Sequence, residues 1–256
     1  NRSALLGKAE TYDRILYMRQ FWFRLICIVF LTSQHAVVIL AQAKIESATQ
    51  TEVDKVRNFA ASLVLADSDE SRAEMLEREK GLVTVELIRE LNDHGRRFRD
   101  QNKFPAALRI SRFTAQLAEQ IGNKIGVADA MYYTGVVFLR QRDFNEALEY
   151  LRKSLELYQT LGDKPRLAVT IEQIGHIHYQ QDNLHQALEC FHRSLALDRE
   201  VGGEKGGELL YTIGSINHRL GRDADAIAAF QASVPLNQKT GNKVRLYQAL
   251  GQMHYL

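Results

Sequence analysis

Proline is scarce in this chain, three residues in 256, and cysteine is scarcer, at two. So few prolines, with no long Gly/Ser tracts, leave little material for linkers or a turn-dense all-β fold and favour helices. Cys27 sits in an apolar front segment and Cys190 stands alone further on, which excludes a disulfide framework. Cys27 follows Arg-Leu-Ile, not the small residues of a lipoprotein signal, so no lipid anchor is expected there. A surplus of one charge is also lacking over most of the length. The formal net charge is +2, and residues 1–43 carry the excess with five Lys or Arg against two Asp or Glu; beyond them stand 28 basic and 29 acidic residues. A near-neutral remainder has no clustered basic field, so no nucleic-acid partner is expected. With 45% apolar and 25% charged residues the composition is globular, and the length suffices for one large domain or two ordinary ones.

The signatures of catalysis are missing too. There is no P-loop, no G-x-G-x-x-G after a strand, no H-E-x-x-H and no G-x-S-x-G. His176 and His178 lie two apart, which on a helix turns them about 200° from each other and prevents joint metal ligation. His185, His192, His218 and His254 are read as surface and packing residues, so no metal or cofactor is expected. Cys190 has His192 too near in sequence to act as a positioned base, and it reads as a packing thiol. Residues 202–207, GGEKGG, follow no strand and lack the Lys-Ser/Thr ending of a phosphate cradle, so they read as a loose turn.

What is present begins with an address. From Met18, two arginines precede an apolar stretch that closes on Ala41-Gln42-Ala43, the order of a secretory signal peptide over 18–43. A retained membrane anchor is the competing reading, although Thr32, Ser33, Gln34 and His35 fall at its middle. A buried soluble helix is the third. Under the first two the protein is secreted or periplasmic, or anchored facing outward, and touches the membrane only through this segment if it is uncleaved. Residues 1–17 read as an upstream extension ahead of Met18. Residues 44–87 read as a helical lead-in with a break at Asp67 to Glu70, and its charge run DSDESRAEMLEREK as a solvated helix face.

From there a period of about forty governs the chain. Glycines recur at 122, 162, 202 and 241, a second set at 95, 135, 175 and 214, and alanines at 107, 147, 187 and 226. One unit divides into two helical patterns. The first carries Ala128, Met131, Gly135 and Phe138; the second carries Ala147, Leu148, Leu151, Leu155 and Tyr158. Asp143 with Glu146 has the order of a capping box, and Gly162 suits a left-handed helix end. The fold class is therefore all-α, a superhelix of antiparallel hairpins: units over 88–124, 125–164, 165–204 and 205–243, and the first helix of a fifth over 244–256. Tyr247 and Leu250 read as core positions of that helix, and 244–256 as an uncapped end through which the chain could self-associate.

The order Ile171, Ile174, Gly175, His178, then Ala187 and Phe191, approximates W-x2-L-G-x2-Y followed by A-x3-F, and the other units repeat it. This resembles the tetratricopeptide repeat in its longer form, as in kinesin light chains and G-protein-binding spindle-orientation adaptors. The family's late proline is absent, so each second helix should run on to the glycine. Asp223 stands where Phe104, Phe144 and Leu184 stand elsewhere, which suggests looser packing of the fourth unit. The order of signal, acidic helix and repeats is also similar to secreted bacterial tetratricopeptide proteins, some of which continue into a caspase-like CHAT domain.

The resemblance implies that first helices line a concave face. Residues offset from the packing landmarks would point into it: Arg89, Asn92, Arg96 and Arg99; Asp129, Tyr132 and Arg140; Glu172, His176 and Tyr179; Glu208, Tyr211, His218 and Arg219. Aromatic and arginine side chains carry much of the energy at interfaces, and the arginines at 89, 96 and 99 favour an acidic peptide or a terminal carboxylate. The expected function is a non-catalytic scaffold or adaptor, not an enzyme, binding a protein or extended peptide in this groove outside the cytoplasm. The alternative is the recognition region of a larger enzyme, a caspase-like peptidase or other hydrolase.

Overall fold

The computed structural model describes residues 49–256, and the signal or anchor reading of 18–43 and the upstream extension of 1–17 lie outside them. The chain divides into two compact units, Asn1–Lys55 and Val56–Leu256. Of the first, residues 49–55 are described; they are helical and mostly exposed.

The second unit is helical throughout. It opens with α1 (56–65), α2 (Asp69–Arg78) and a 3-10 turn (Lys80–Leu82). Hairpins follow as α3 (Val85–Asp100) with α4 (Phe104–Gln120), α5 (Lys124–Gln141) with α6 (Phe144–Leu161), α7 (Lys164–Gln180) with α8 (Leu184–Glu200), and α9 (Gly206–Arg219) with α10 (Asp223–Lys239), before α11 (Lys243–Tyr255). From α3 onward each helix packs on the next, and successive first helices α3, α5 and α7 also touch.

The glycine and alanine landmarks explain how closely each hairpin closes. A Cβ on Gly135 would lie 2.7 Å from Leu151 Cγ, and one on Gly214 would lie 2.7 Å from the Phe230 ring. Ala147, Ala187 and Ala226 are fully buried opposite them. Small residues thus bring two helix axes together while Leu151, Phe191 and Phe230 fill the space between, each stabilising the fold by roughly 1.5–3 kcal/mol through burial. In the second and third hairpins a polar bond fastens the other end of the crossing: Ser154 Oγ donates to the Ala128 carbonyl and Ser194 Oγ to that of Ala168, both at 2.9 Å. At the front, Phe59, Leu63 and Val64 of α1 join Leu87, Leu91 and Ile110 in one core, so the lead-in is packed onto the first hairpin.

Gly122, Gly162, Gly202 and Gly241 take φ near +70° between hairpins, as a left-handed helix end requires. The turns inside hairpins use the same conformation at Asn102, Arg142, Asp182 and Gly221, a recurrence that their mixed side chains conceal.

Several local expectations are corrected. The Asp143–Glu146 capping box does not form, because the Asp143 N–H is given to the Phe138 carbonyl at 2.9 Å in the turn that ends α5. Side-chain caps sit instead on first helices, from Asn123, Asp163 and Asn242. The charge run near residue 70 is not wholly solvated: Arg72 is 3% exposed and donates to the Leu63 and Ala66 carbonyls at 3.1 Å, capping α1. The 202–207 turn is wrapped tightly, for a Cβ on Gly203 would fall 2.0 Å from Asp198 Oδ1. Tyr247 and Leu250 are 68% and 45% exposed and α11 buries only Ala249, since no described helix covers their face.

Candidate functional site

Three first helices lying side by side produce a cavity of about 470 Å³. Arg96 and Arg99 reach it from α3, Asp129, Tyr132 and Tyr133 from α5, and Arg166, Val169 and Thr170 from α7. Tyr158 arrives from the end of α6 and donates its hydroxyl to Asp129 Oδ1 at 2.6 Å. The same carboxylate accepts from Arg166 Nε at 2.9 Å, and Arg166 also pairs with Asp163 at 2.7 Å. Arg99 lies 5.9 Å from the Tyr133 ring centre and bonds Asp100; Arg96 pairs with Asp93 at 2.9 Å.

The tyrosine hydroxyls are held protonated. Burial, then the charge of Asp129, pushes Tyr158 far up; burial and the charge of Glu172 do the same to Tyr132, and burial with Asp129 raises Tyr133. The wall therefore offers aromatic faces, hydroxyl donors and guanidinium groups. Burial raises the Cys190 thiol as well.

A second cavity of about 270 Å³ adjoins at the α3/α5 junction, with Arg89, Asn92, Asn123 and Asp129 in its wall. Six expected residues thus gather at the two cavities: Arg89, Asn92, Arg96, Arg99, Asp129 and Tyr132. Asn92 is buried, not offered to solvent. The others are placed differently. Arg140 is exposed at the end of α5 and lines neither. Glu172 is buried and accepts from Lys205 Nζ at 2.8 Å, with His176 at 3.7 Å. Its burial would raise the carboxyl pKa, but hydrogen bonds and charge from His176 and Lys205 outweigh that and hold it below the usual range. Tyr179 packs under Arg219, which also pairs with Asp182 at 2.5 Å. Glu208 accepts from Asn242 at 3.0 Å, Tyr211 lies 4.8 Å beneath Arg245, and His218 bonds Asp223 at 2.9 Å.

Tyr133, Tyr158 and Arg166 were missed. Tyr158 falls in the second-helix packing pattern with Leu151 and Leu155, and Arg166 lies in a first turn ahead of the landmark window. A signal for Arg166 existed: it stands nine residues before Gly175, as Lys205 does before Gly214 and Asn242 before Gly251.

Consecutive antiparallel hairpins closed by small residues define a helical-repeat solenoid, a fold that fits a scaffold for protein interaction. The chain belongs to the tetratricopeptide repeat family, whose model matches residues 91–160 and 166–239. Solved structures share the fold. The aspartyl phosphate phosphatase F of Bacillus subtilis is 14% identical, with 78% of this chain and 51% of that one covered at a TM-score of 0.62. A Rap protein complexed with Competence and Sporulation Factor is also 14% identical, with 76% and 53% covered at 0.61. BtubC (BKLC) from P. vanneervenii is 15% identical, with 76% and 90% covered at 0.56. The chain therefore spans about half the length of the first two. No curated protein sequence matches it.

Proposed function

We propose that this protein is a non-catalytic adaptor that binds an extended, acidic peptide segment of another protein along its first helices, and that residues 18–43 direct it out of the cytoplasm. The observation carrying this is the cavity spanning α3, α5 and α7, where Arg96 and Arg99 of one hairpin meet Tyr132 of the next beside further aromatic faces. Such a wall favours side chains that carry interface energy, and its guanidinium groups favour carboxylates. The Rap protein solved with Competence and Sporulation Factor lends support by analogy of fold.

The test is pull-down from an extracytoplasmic extract by the full chain and by a variant with Arg96, Arg99 and Tyr132 changed to alanine. Specific capture that the triple variant loses supports the reading; undiminished capture rejects it. For the address, mass spectrometry of the exported protein is expected to find a first residue at Lys44. An intact segment in the cytosolic fraction rejects export.

A further inference from the structure

His178 stands where the first two units place a phenylalanine. It follows the α7 landmark Gly175 by three residues, as Phe98 follows Gly95 and Phe138 follows Gly135. Phe138 fills its place with a ring stacked on Tyr150, the centres 5.6 Å apart. At His178 the ring is ionisable instead, and its Nδ1 is buried with no hydrogen-bond partner. Its main-chain carbonyl accepts the Asn183 N–H at 2.8 Å in the turn that joins α7 to α8, which fixes this residue at the closed end of a hairpin. Around it, Leu148, Leu151 and Leu155 of α6 share one core with Ile174 and Ile177 of α7.

A neutral imidazole can occupy this place. A doubly protonated ring carries a hydrogen on both nitrogens, so Nδ1 becomes a buried donor without an acceptor. Protonation also sets two positive charges against each other, because Arg152 of the preceding α6 acts on the ring. Of the other helices packed on α7, neither α5 nor α8 brings a charge to bear on it among the described residues. The carboxylates nearest along the chain are engaged elsewhere, Glu172 with Lys205 and His176, and Asp182 with Arg219. Burial first, and Arg152 second, therefore hold the imidazole below its ordinary value of 6.5. His94 makes the contrast: its Nε2 is also buried and unpartnered, but Glu90 and Asp93 stand near enough to offset a positive charge there.

We propose that His178 is an acid-sensitive release for the α6/α7 junction: the neutral ring lets the second and third hairpins pack, and the protonated ring forces them apart on the Arg152 side. A base whose folded-state value is depressed leaves stability intact above the unfolded value, 6.5, and removes it as pH falls through the folded one. Because α7 also supplies Arg166, Val169 and Thr170 to the larger cavity, the release acts on that wall whatever occupies it.

The test follows the full chain from about pH 7.5 to 5.5, a range in which imidazoles titrate and ordinary carboxylates stay charged. In NMR of the imidazole signals, His178 is expected to titrate below the exposed His192. Hydrogen exchange, corrected for its intrinsic pH dependence, is expected to show α6 and α7 losing protection over that range while α9 and α10 keep theirs. His178→Phe is expected to abolish the local loss, and Arg152→Gln to raise the His178 titration and shrink the loss. An acid loss in α6 and α7 that survives His178→Phe overturns the proposal, and so does its absence in the wild type. A His178 titration level with that of His192 overturns it too. If His178→Phe fails to fold, the wild-type titration and Arg152→Gln, at an exposed residue, decide. No readout requires a bound partner, so a failure here leaves the adaptor reading standing.

Discussion

Glu172 shows how neighbouring groups can outweigh burial at one carboxylate. It lies among first helices, and its folded pKa is depressed because His176 and Lys205 outweigh the effect of burial. A depressed acid contributes stability above its unfolded pKa and loses it as pH falls through the folded value. The thermal midpoint is therefore expected to drop as pH falls below about 4.5, the ordinary glutamate value, and Glu172→Gln to show a flatter acid limb than wild type. An acid limb that Glu172→Gln leaves unchanged contradicts this. Tyr158 is a second such residue, its hydroxyl fixed on a charged acceptor at 2.6 Å. Tyr158→Phe keeps the ring and deletes that bond, so a loss of about 1–2 kcal/mol is expected in urea unfolding. Arg166 continues to hold Asp129, which limits the damage.

At the level of the helix pair, the landmark glycines set the distance of approach. Gly214→Ala places a methyl group 2.7 Å from a Phe230 ring carbon that is itself fully buried. The ring cannot yield easily, and a destabilisation of about 1–3 kcal/mol is expected by calorimetry. Gly122→Ala meets no atom within 4 Å and instead pays in backbone strain at φ +71°. The hairpins were legible in the sequence because each crossing demands the same small residues and so repeats them. What lay outside that pattern was hidden. Arg72 is buried because its guanidinium meets carbonyls at the end of α1, a tertiary encounter that charge patterning does not report. Tyr158 reaches the cavity because the last turn of α6 swings toward α5 and α7, which a strict division of inner and outer helices obscured. Of the candidate site, Arg89, Asn92, Arg96, Arg99, Asp129 and Tyr132 followed from the family resemblance and matching positions in the repeat; those toward α9 fell where the molecule's own side chains engage them.

Across the whole molecule, each hairpin is buried by its neighbours only, so stability passes from one to the next. Phe191 is fully buried in the core that α8 shares with α9. Phe191→Ala is expected to cost about 3–5 kcal/mol, and hydrogen exchange should show the loss of protection spreading through α7–α10 while α3 and α4 keep theirs. Uniform loss along the chain would instead mean a single cooperative block.

The bonds that run from Arg166, Lys205 and Asn242 to earlier first helices all lie along one margin of the array. Like a tape reinforced on a single selvage, such an array resists stretching on that side and yields on the other. Among the described first helices, the α3/α5 junction, where Gly126 stands in place of such a residue, lacks that seam, so it is the joint expected to part first under tension.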